Sequence, residues 1–232
     1  MIEGLVFKGV QQRSPFIFNL GDGDFFDTIT GSDDPYGFNK FTGYIKIEGY
    51  SWDDEEEDES YVDVGEIRFN AYNLGSLNFD CFCQDWKTAI RNSELYDAMD
   101  MDSSDAALYY SVFEEGYNRA ISDIFPEDWD DMIMLVNEGY LITLDRVYIK
   151  PEYRKMGIGK FIHEHLFKIL YTEFNIIPFF AVGICVPDAG EPDNMLEVQK
   201  KVLTDNDFDV FECYNETAFC KYIFDIDFLE SL

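Results

Sequence analysis

Positive charge is what this chain most lacks. Only 17 of its 232 residues are Lys or Arg, against 47 Asp and Glu, and the formal net charge is −30. Binding to DNA or RNA draws most of its affinity from Lys and Arg contacts to phosphate, so direct nucleic-acid binding is not expected. A cationic partner, or imitation of a polyanion, suits the charge better. Cysteine is sparse as well: Cys81, Cys83, Cys185, Cys213 and Cys220 are odd in number and form no Cys-x-x-Cys pair. That pattern excludes a disulfide framework and predicts reduced thiols in a cytoplasmic protein. Cys81-x-Cys83 has no second ligand pair nearby, so no metal is expected. The start Met-Ile-Glu-Gly lacks the basic lead and apolar core of a signal peptide. The longest apolar run, residues 176–187, is too short to span a bilayer, and no membrane partner is expected.

Apolar and aromatic residues are plentiful, at 47% and 17% of the chain. This excludes a disordered chain and allows a sizeable core. The 22 Phe and 15 Tyr also fit poorly with a halophile surface. Residues 1–40 are rich in Gly, Asp and Phe, with turns at Gly21-Asp-Gly-Asp24 and Gly31-Ser-Asp-Asp-Pro35. Strand alternation follows over 41–50 and 61–73. Between them seven consecutive acids, Asp53 to Glu59, repel one another and predict a solvated hairpin loop or mobile insertion. Residues 86–99 and 104–125 read as helices, the second with Leu108, Val112, Phe113 and Tyr117 on one stripe. Strands are expected over 132–136, 140–149 and 176–186, a helix over 194–203, and a hairpin from 208–213 and 218–225. The whole predicts an α+β fold, with an acidic extension over 1–60 and a main domain over 61–232.

One stretch organises the rest. A strand ending at Ile149 meets Pro151, and Arg154-Lys-Met-Gly157-Ile-Gly159 then opens an amphipathic helix with Ile162, Leu166, Ile169 and Leu170 on one side. A Gly-rich turn entering a helix N-terminus turns several unpaired N–H groups toward one point and adds the positive end of the helix dipole. It is a seat for phosphate. Residues 146–168 carry six basic residues against two acidic ones, inverting the sign of the chain around them. The order Arg-x-x-Gly-x-Gly fits neither the dinucleotide fingerprint Gly-x-Gly-x-x-Gly nor a P-loop. His163-Glu-His165 does not chelate, because positions i and i+2 on a helix point roughly 200° apart.

The strand, the turn and the following strand, helix and hairpin resemble the GNAT family of acetyl-CoA-dependent N-acetyltransferases. The resemblance is specific over 140–170, fair over 171–226 and poor before 139. It implies a mixed, mostly antiparallel central sheet flanked by helices, with acetyl-CoA as acyl donor. By the resemblance, the backbone of Val147, Tyr148 and Ile149 pairs with the pantetheine arm. The amides of Lys155, Met156, Gly157, Ile158, Gly159 and Lys160 hold the pyrophosphate, with charge added by Arg154 and Lys160. Asn194 matches a cofactor-touching position, and the strand at 176–186 splays from its neighbour to admit the cofactor.

In such a reaction the acceptor amine attacks the thioester directly, and an alkylamine of pKa near 10.4 must first lose a proton. Asp145, on the strand entering the motif and on the face of Thr143 and Val147, is the candidate base. A pairing with Arg146 or Lys150 is its alternative role. The family's usual Tyr acid is replaced by Leu203, leaving Tyr214 as a weak stand-in. The helices also follow two strands here, instead of one. The expected function is acetyl transfer to a polyamine, aminoglycoside or basic peptide drawn to the acidic surface, with a homodimer possible through the C-terminal strands. The competing expectation is a catalytically silent acidic protein on the same fold that occupies a basic partner.

Overall fold

The computed structural model describes residues 17–20, 27–28, 40–53, 58–77, 88, 93–100, 106–121, 138–174 and 176–222. Its framework is an α+β arrangement around one sheet of eight strands among the described residues. In chain order these are β1 (Ile17–Leu20), β2 (Asp27–Thr28), β3 (Lys40–Asp53), β4 (Asp58–Asn73), β5 (Tyr140–Ile149), β6 (Pro178–Ile184), β7 (Asp209–Cys213) and β8 (Glu216–Tyr222). The helices are α1 (Leu95–Asp100), α2 (Ala106–Ile121), α3 (Ile158–Phe174) and α4 (Met195–Thr204). Strand order is β1-β3-β4-β5-β6-β8-β7, with β2 pairing to β3. Every pairing is antiparallel except β5 with β6, which α3 connects as a crossover.

β3 and β4 form one long hairpin, paired from Lys40↔Tyr72 to Asp53↔Asp58 with one register shift between Ile47 and Glu48. Of the acidic run, Asp53, Asp58 and Glu59 lie within the paired strands, and the four acids between Asp53 and Asp58 lie outside the described residues. Residues 40–53 belong to the same sheet as the motif strand, so the expected boundary near residue 60 falls inside a hairpin. The expected strand over 132–136 and much of the helix over 86–99 lie outside the described residues, as do the two N-terminal turns.

α2 covers one face of the sheet. Its Ala106, Tyr109, Tyr110, Phe113 and Tyr117 recur at helical spacing and pack with Tyr72, Leu141, Phe180 and Cys220. α3 covers the other face through Ile158, Ile162, Leu166 and Leu170, which meet Ile67, Phe69, Ile142, Leu144 and Phe219. Burying a side chain such as Leu166 fully stabilises by roughly 1.5–3 kcal/mol relative to exposure. With helices on both faces, β6 is buried along nearly its whole length, as its unbroken apolar run predicted.

Candidate functional site

β5 and β6 run side by side only as far as Leu144↔Gly183. Beyond that point β6 stays with β8, through Ile184↔Ala218 and the Cys185 N–H on the Thr217 carbonyl at 2.8 Å. From Arg146 to Ile149, β5 pairs with β4 alone. The two parallel strands diverge, as the motif led one to expect, and the tail of β5 turns one backbone edge toward the gap. Alternate N–H and C=O groups along such an edge can meet an extended ligand, apart from the Ile149 carbonyl, which accepts the Arg154 Nε–H at 2.8 Å. Val147, Tyr148 and Ile149 all lie on this tail.

The divergence has a local cause at Asp145. β4 pairs Arg68 with Arg146 and Phe69 with Leu144, so Asp145 is an extra residue with no partner opposite it. This is a β-bulge, which bends a strand and re-aims its side chains. It also changes the parity of the strand. Ile142 and Leu144 face α3, and after the bulge so do Val147 and Ile149. The expectation that Asp145 and Val147 share a face is therefore corrected: one added residue puts them on opposite faces. Asp145 instead shares the face of Thr143 and Asn70. The Asn70 Nδ2 group donates to Asp145 Oδ2 at 2.9 Å, and the Thr143 hydroxyl to Asp145 Oδ1 at 3.4 Å. Asn70 and Thr143 are buried and Asp145 is exposed. Neither Arg146 nor Lys150 takes Asp145 as an ion-pair partner among the described residues. Arg146 pairs with Asp188 at 2.9 Å, and Lys150 with Asp63 at 2.9 Å.

Past β5, Pro151–Tyr153 make one 3-10 turn, whose Arg154 N–H returns to the Pro151 carbonyl at 3.3 Å. Lys155 then has φ 64° and Gly157 φ 84°. Positive φ at both positions turns the chain sharply just before the helix. The first helical hydrogen bond of α3 runs from the Phe161 N–H to the Gly157 carbonyl at 3.0 Å, so the N–H groups of Ile158, Gly159 and Lys160 precede the ladder. Ile158 is buried and pins the helix start to the core; Lys155, Met156, Gly157 and Lys160 are exposed. A Cβ built on Gly157 or Gly159 would meet no atom of the other described residues within 4 Å. Lys155 and Lys160 have no ion-pair partner among the described residues.

Arg154 does not offer its charge to this turn. Its Nε donates to the Ile149 carbonyl at 2.8 Å, and its guanidinium forms a bidentate pair with Glu191, in the loop between β6 and α4. That bond holds the Glu191 carboxyl below its ordinary pKa and raises that of Arg154. With Arg146 on Asp188, two ion pairs strap the 185–194 loop across the gap to β5 and its turn. Both guanidinium groups also lie over the Tyr148 ring, at 4.6 and 5.7 Å.

Asn194 is exposed at the entry to α4, where its carbonyl accepts the Val198 N–H at 3.1 Å. Tyr214 sits at the tip of the β7–β8 hairpin with φ 50° and is 78% exposed. It lies at the same end of the sheet as the gap but two to three strand spacings from β5, roughly 10–14 Å. Asp145 and Tyr214 are not brought together. The Nδ1 groups of His163 and His165 each bond a carbonyl four residues back, at Gly159 and Phe161, and burial pushes the His163 pKa down. Among the described residues no cluster of His, Cys, Asp or Glu could hold a metal, and no helix is long and apolar enough to cross a membrane.

Asn70 was missed in the sequence. The available signal was an Asn between Phe69 and Ala71 in a strand with apolar residues at 67, 69 and 71. No protein-family model matches the chain, and no curated protein is significantly similar to it.

Proposed function

We propose that the chain is an acetyl-CoA-dependent N-acetyltransferase of the GNAT type, acting on a primary amine of a cationic acceptor. One observation carries this reading: the parallel pair β5–β6 diverges after Leu144 and Gly183 at the end where the Arg154–Gly159 turn opens α3. The strand edge beyond the β6 pairing suits an amide-bearing arm, and the N–H groups that precede the α3 ladder, with Lys155 and Lys160, suit a pyrophosphate. The donor supplies an activated acetyl thioester. β3, from the first part of the chain, provides a strand beside β4 that the chain order after the helices lacks.

The residues of this chain then have separable tasks. The tail of β5 holds the arm through backbone groups, and the turn holds the phosphates. Asp145, exposed at the mouth of the gap, accepts a proton from the protonated amine. The neutral nitrogen attacks the acetyl carbonyl; the C–N bond forms, the C–S bond breaks, and the departing thiolate takes up the second proton that nitrogen sheds. A backbone N–H on the tail is the candidate donor to the developing oxyanion. The acidic exterior raises the encounter rate of a polycation more than its affinity.

The test is acetyl-CoA consumption across polyamines, aminoglycosides and Lys-rich peptides, beside a thermal shift with acetyl-CoA alone. Saturable turnover with at least one cationic amine is the expected result. A thermal shift without turnover would favour a silent acidic protein on the same fold. No shift at any concentration would sink the reading.

A further inference from the structure

The carboxylate of Asp145 is held from beneath by groups that belong to the sheet and not to the surface. Asn70 is 8% exposed and Thr143 1% exposed, on adjacent strands at the register pair Asn70↔Thr143. Asn70 Nδ2 reaches Asp145 Oδ2 at 2.9 Å and Thr143 Oγ1 at 3.4 Å, and the Thr143 hydroxyl reaches Asp145 Oδ1 at 3.4 Å. Both oxygens of one exposed carboxylate are thus met by donors fixed in the strands. An exposed Asp has no folding need for such support, and a buried Asn in a central strand is poor strand chemistry unless its amide is satisfied. Strand alternation gives the alignment: Asp145 lies two residues after Thr143 and so on its face of β5, the face that the register pair gives Asn70.

We propose that Asn70 is a positioning residue for acetyl transfer. Its amide, seconded by the Thr143 hydroxyl, fixes the rotamer of Asp145 so that one carboxylate lone pair points out at the incoming ammonium. This rests on the acetyltransferase reading above. The step is a proton transfer from the substrate ammonium to the Asp145 carboxylate, and the proton then passes to water as the carboxylate is regenerated. Asn70 touches neither substrate nor reacting atom and acts through Asp145 alone.

The experiment is a double-mutant cycle between Asn70→Leu and Asp145→Asn, with Thr143→Val as a second, near-isosteric variant, on the full chain with the best cationic amine. Asp145→Asn is expected to lower kcat by roughly 10²–10⁴. Asn70→Leu is expected to lower kcat about 10- to 100-fold, the scale of losing one hydrogen bond to a charged group, with the KM for both substrates unchanged. Thr143→Val should give a smaller loss of the same kind. In the Asp145→Asn background Asn70→Leu should have no further effect, because a positioning residue has nothing left to position. Additive losses, or a raised KM with kcat intact, would overturn the assignment. So would full activity of Asn70→Leu beside a dead Asp145→Asn. If Asp145→Asn is active the base is elsewhere, and if the wild type turns over no amine the acetyltransferase reading itself falls; either result removes the role of Asn70 with it. Should Asn70→Leu fail to fold, Thr143→Val in both backgrounds decides by the same pattern.

Discussion

Gly157 separates the demands of the fold from those of the ligand. At φ 84° an L-residue there is strained, and the penalty is roughly 1–2 kcal/mol. A Cβ would meet no atom of the other described residues within 4 Å, so no clash with them is added. Gly157→Ala should therefore lower Tm by roughly 2–8 °C in a chain of this size and leave the fold intact. Gly157→Glu should cost the protein a similar amount, but it places a carboxylate at the turn where the pyrophosphate is to sit. One like charge at about 4 Å and an effective dielectric near 20 opposes binding by about 4 kcal/mol, close to a thousandfold. Screening at 0.15 M salt reduces this, so a loss of at least a hundredfold is the working expectation. Calorimetric titration with acetyl-CoA, beside thermal unfolding of both variants, reads the two effects separately. A Gly157→Glu protein that is folded and binds acetyl-CoA within threefold of wild type would refute the phosphate seat.

Three further outcomes follow from named contacts. Glu191→Gln should loosen the strap across the gap, and the stability difference from wild type should depend on pH. The folded-state pKa of Glu191 is depressed, so its contribution is present above its unfolded value near 4.3 and is lost as pH falls through the folded value. Thermal scans from pH 7 to pH 3 check this, and a difference that persists in acid would count against the pairing. Gly65→Ala would drive a Cβ to 2.1 Å from the Tyr148 carbonyl oxygen, a backbone atom that can yield only if the β5 tail moves. A loss of about 1–3 kcal/mol in urea unfolding is expected, together with weaker acetyl-CoA binding; an unchanged midpoint would contradict the register. Burial pushes Cys185 up to about 11 and Cys220 up to about 12, and raises Cys213. At pH 8 iodoacetamide should label none of the three until urea is added, and rapid native labelling mapped to Cys185 would show the site end of β6 to be open.

The parts of this architecture that were legible in the sequence are those written in local period. The apolar stripe of α3, the apolar run of β6 and the glycine turn each depend on a few consecutive residues, and all three form as expected. The bulge was legible too, and was overlooked: the apolar parity Ile142, Leu144 shifts to Val147, Ile149 across Asp145-Arg146, which a regular strand would not do. The strap was not legible. Arg154 and Glu191 lie 37 positions apart, and nothing local marks which of 47 acids will meet a given arginine. Arg154 therefore looked like a phosphate ligand when its guanidinium is held elsewhere. Tyr214 lies in the hairpin, as expected, and its separation from Asp145 follows from strand order across the sheet, which is not written in the order along the chain.

The bond between Asn70 and Asp145 joins residues 75 positions apart, on the neighbouring strands β4 and β5. The phosphate turn, by contrast, is built within a dozen consecutive residues. Loop-closure entropy makes the long contact late and the short one early, so on a folding chain the turn should take shape well before the base is aimed. A chain begun at residue 138 would carry every group of the turn, and Thr143 as well, but not the Asn70 amide beneath Asp145. The glycine turn and the Asn70 support of Asp145 are thus written in separate stretches of this polypeptide, and only closure of the sheet brings them together.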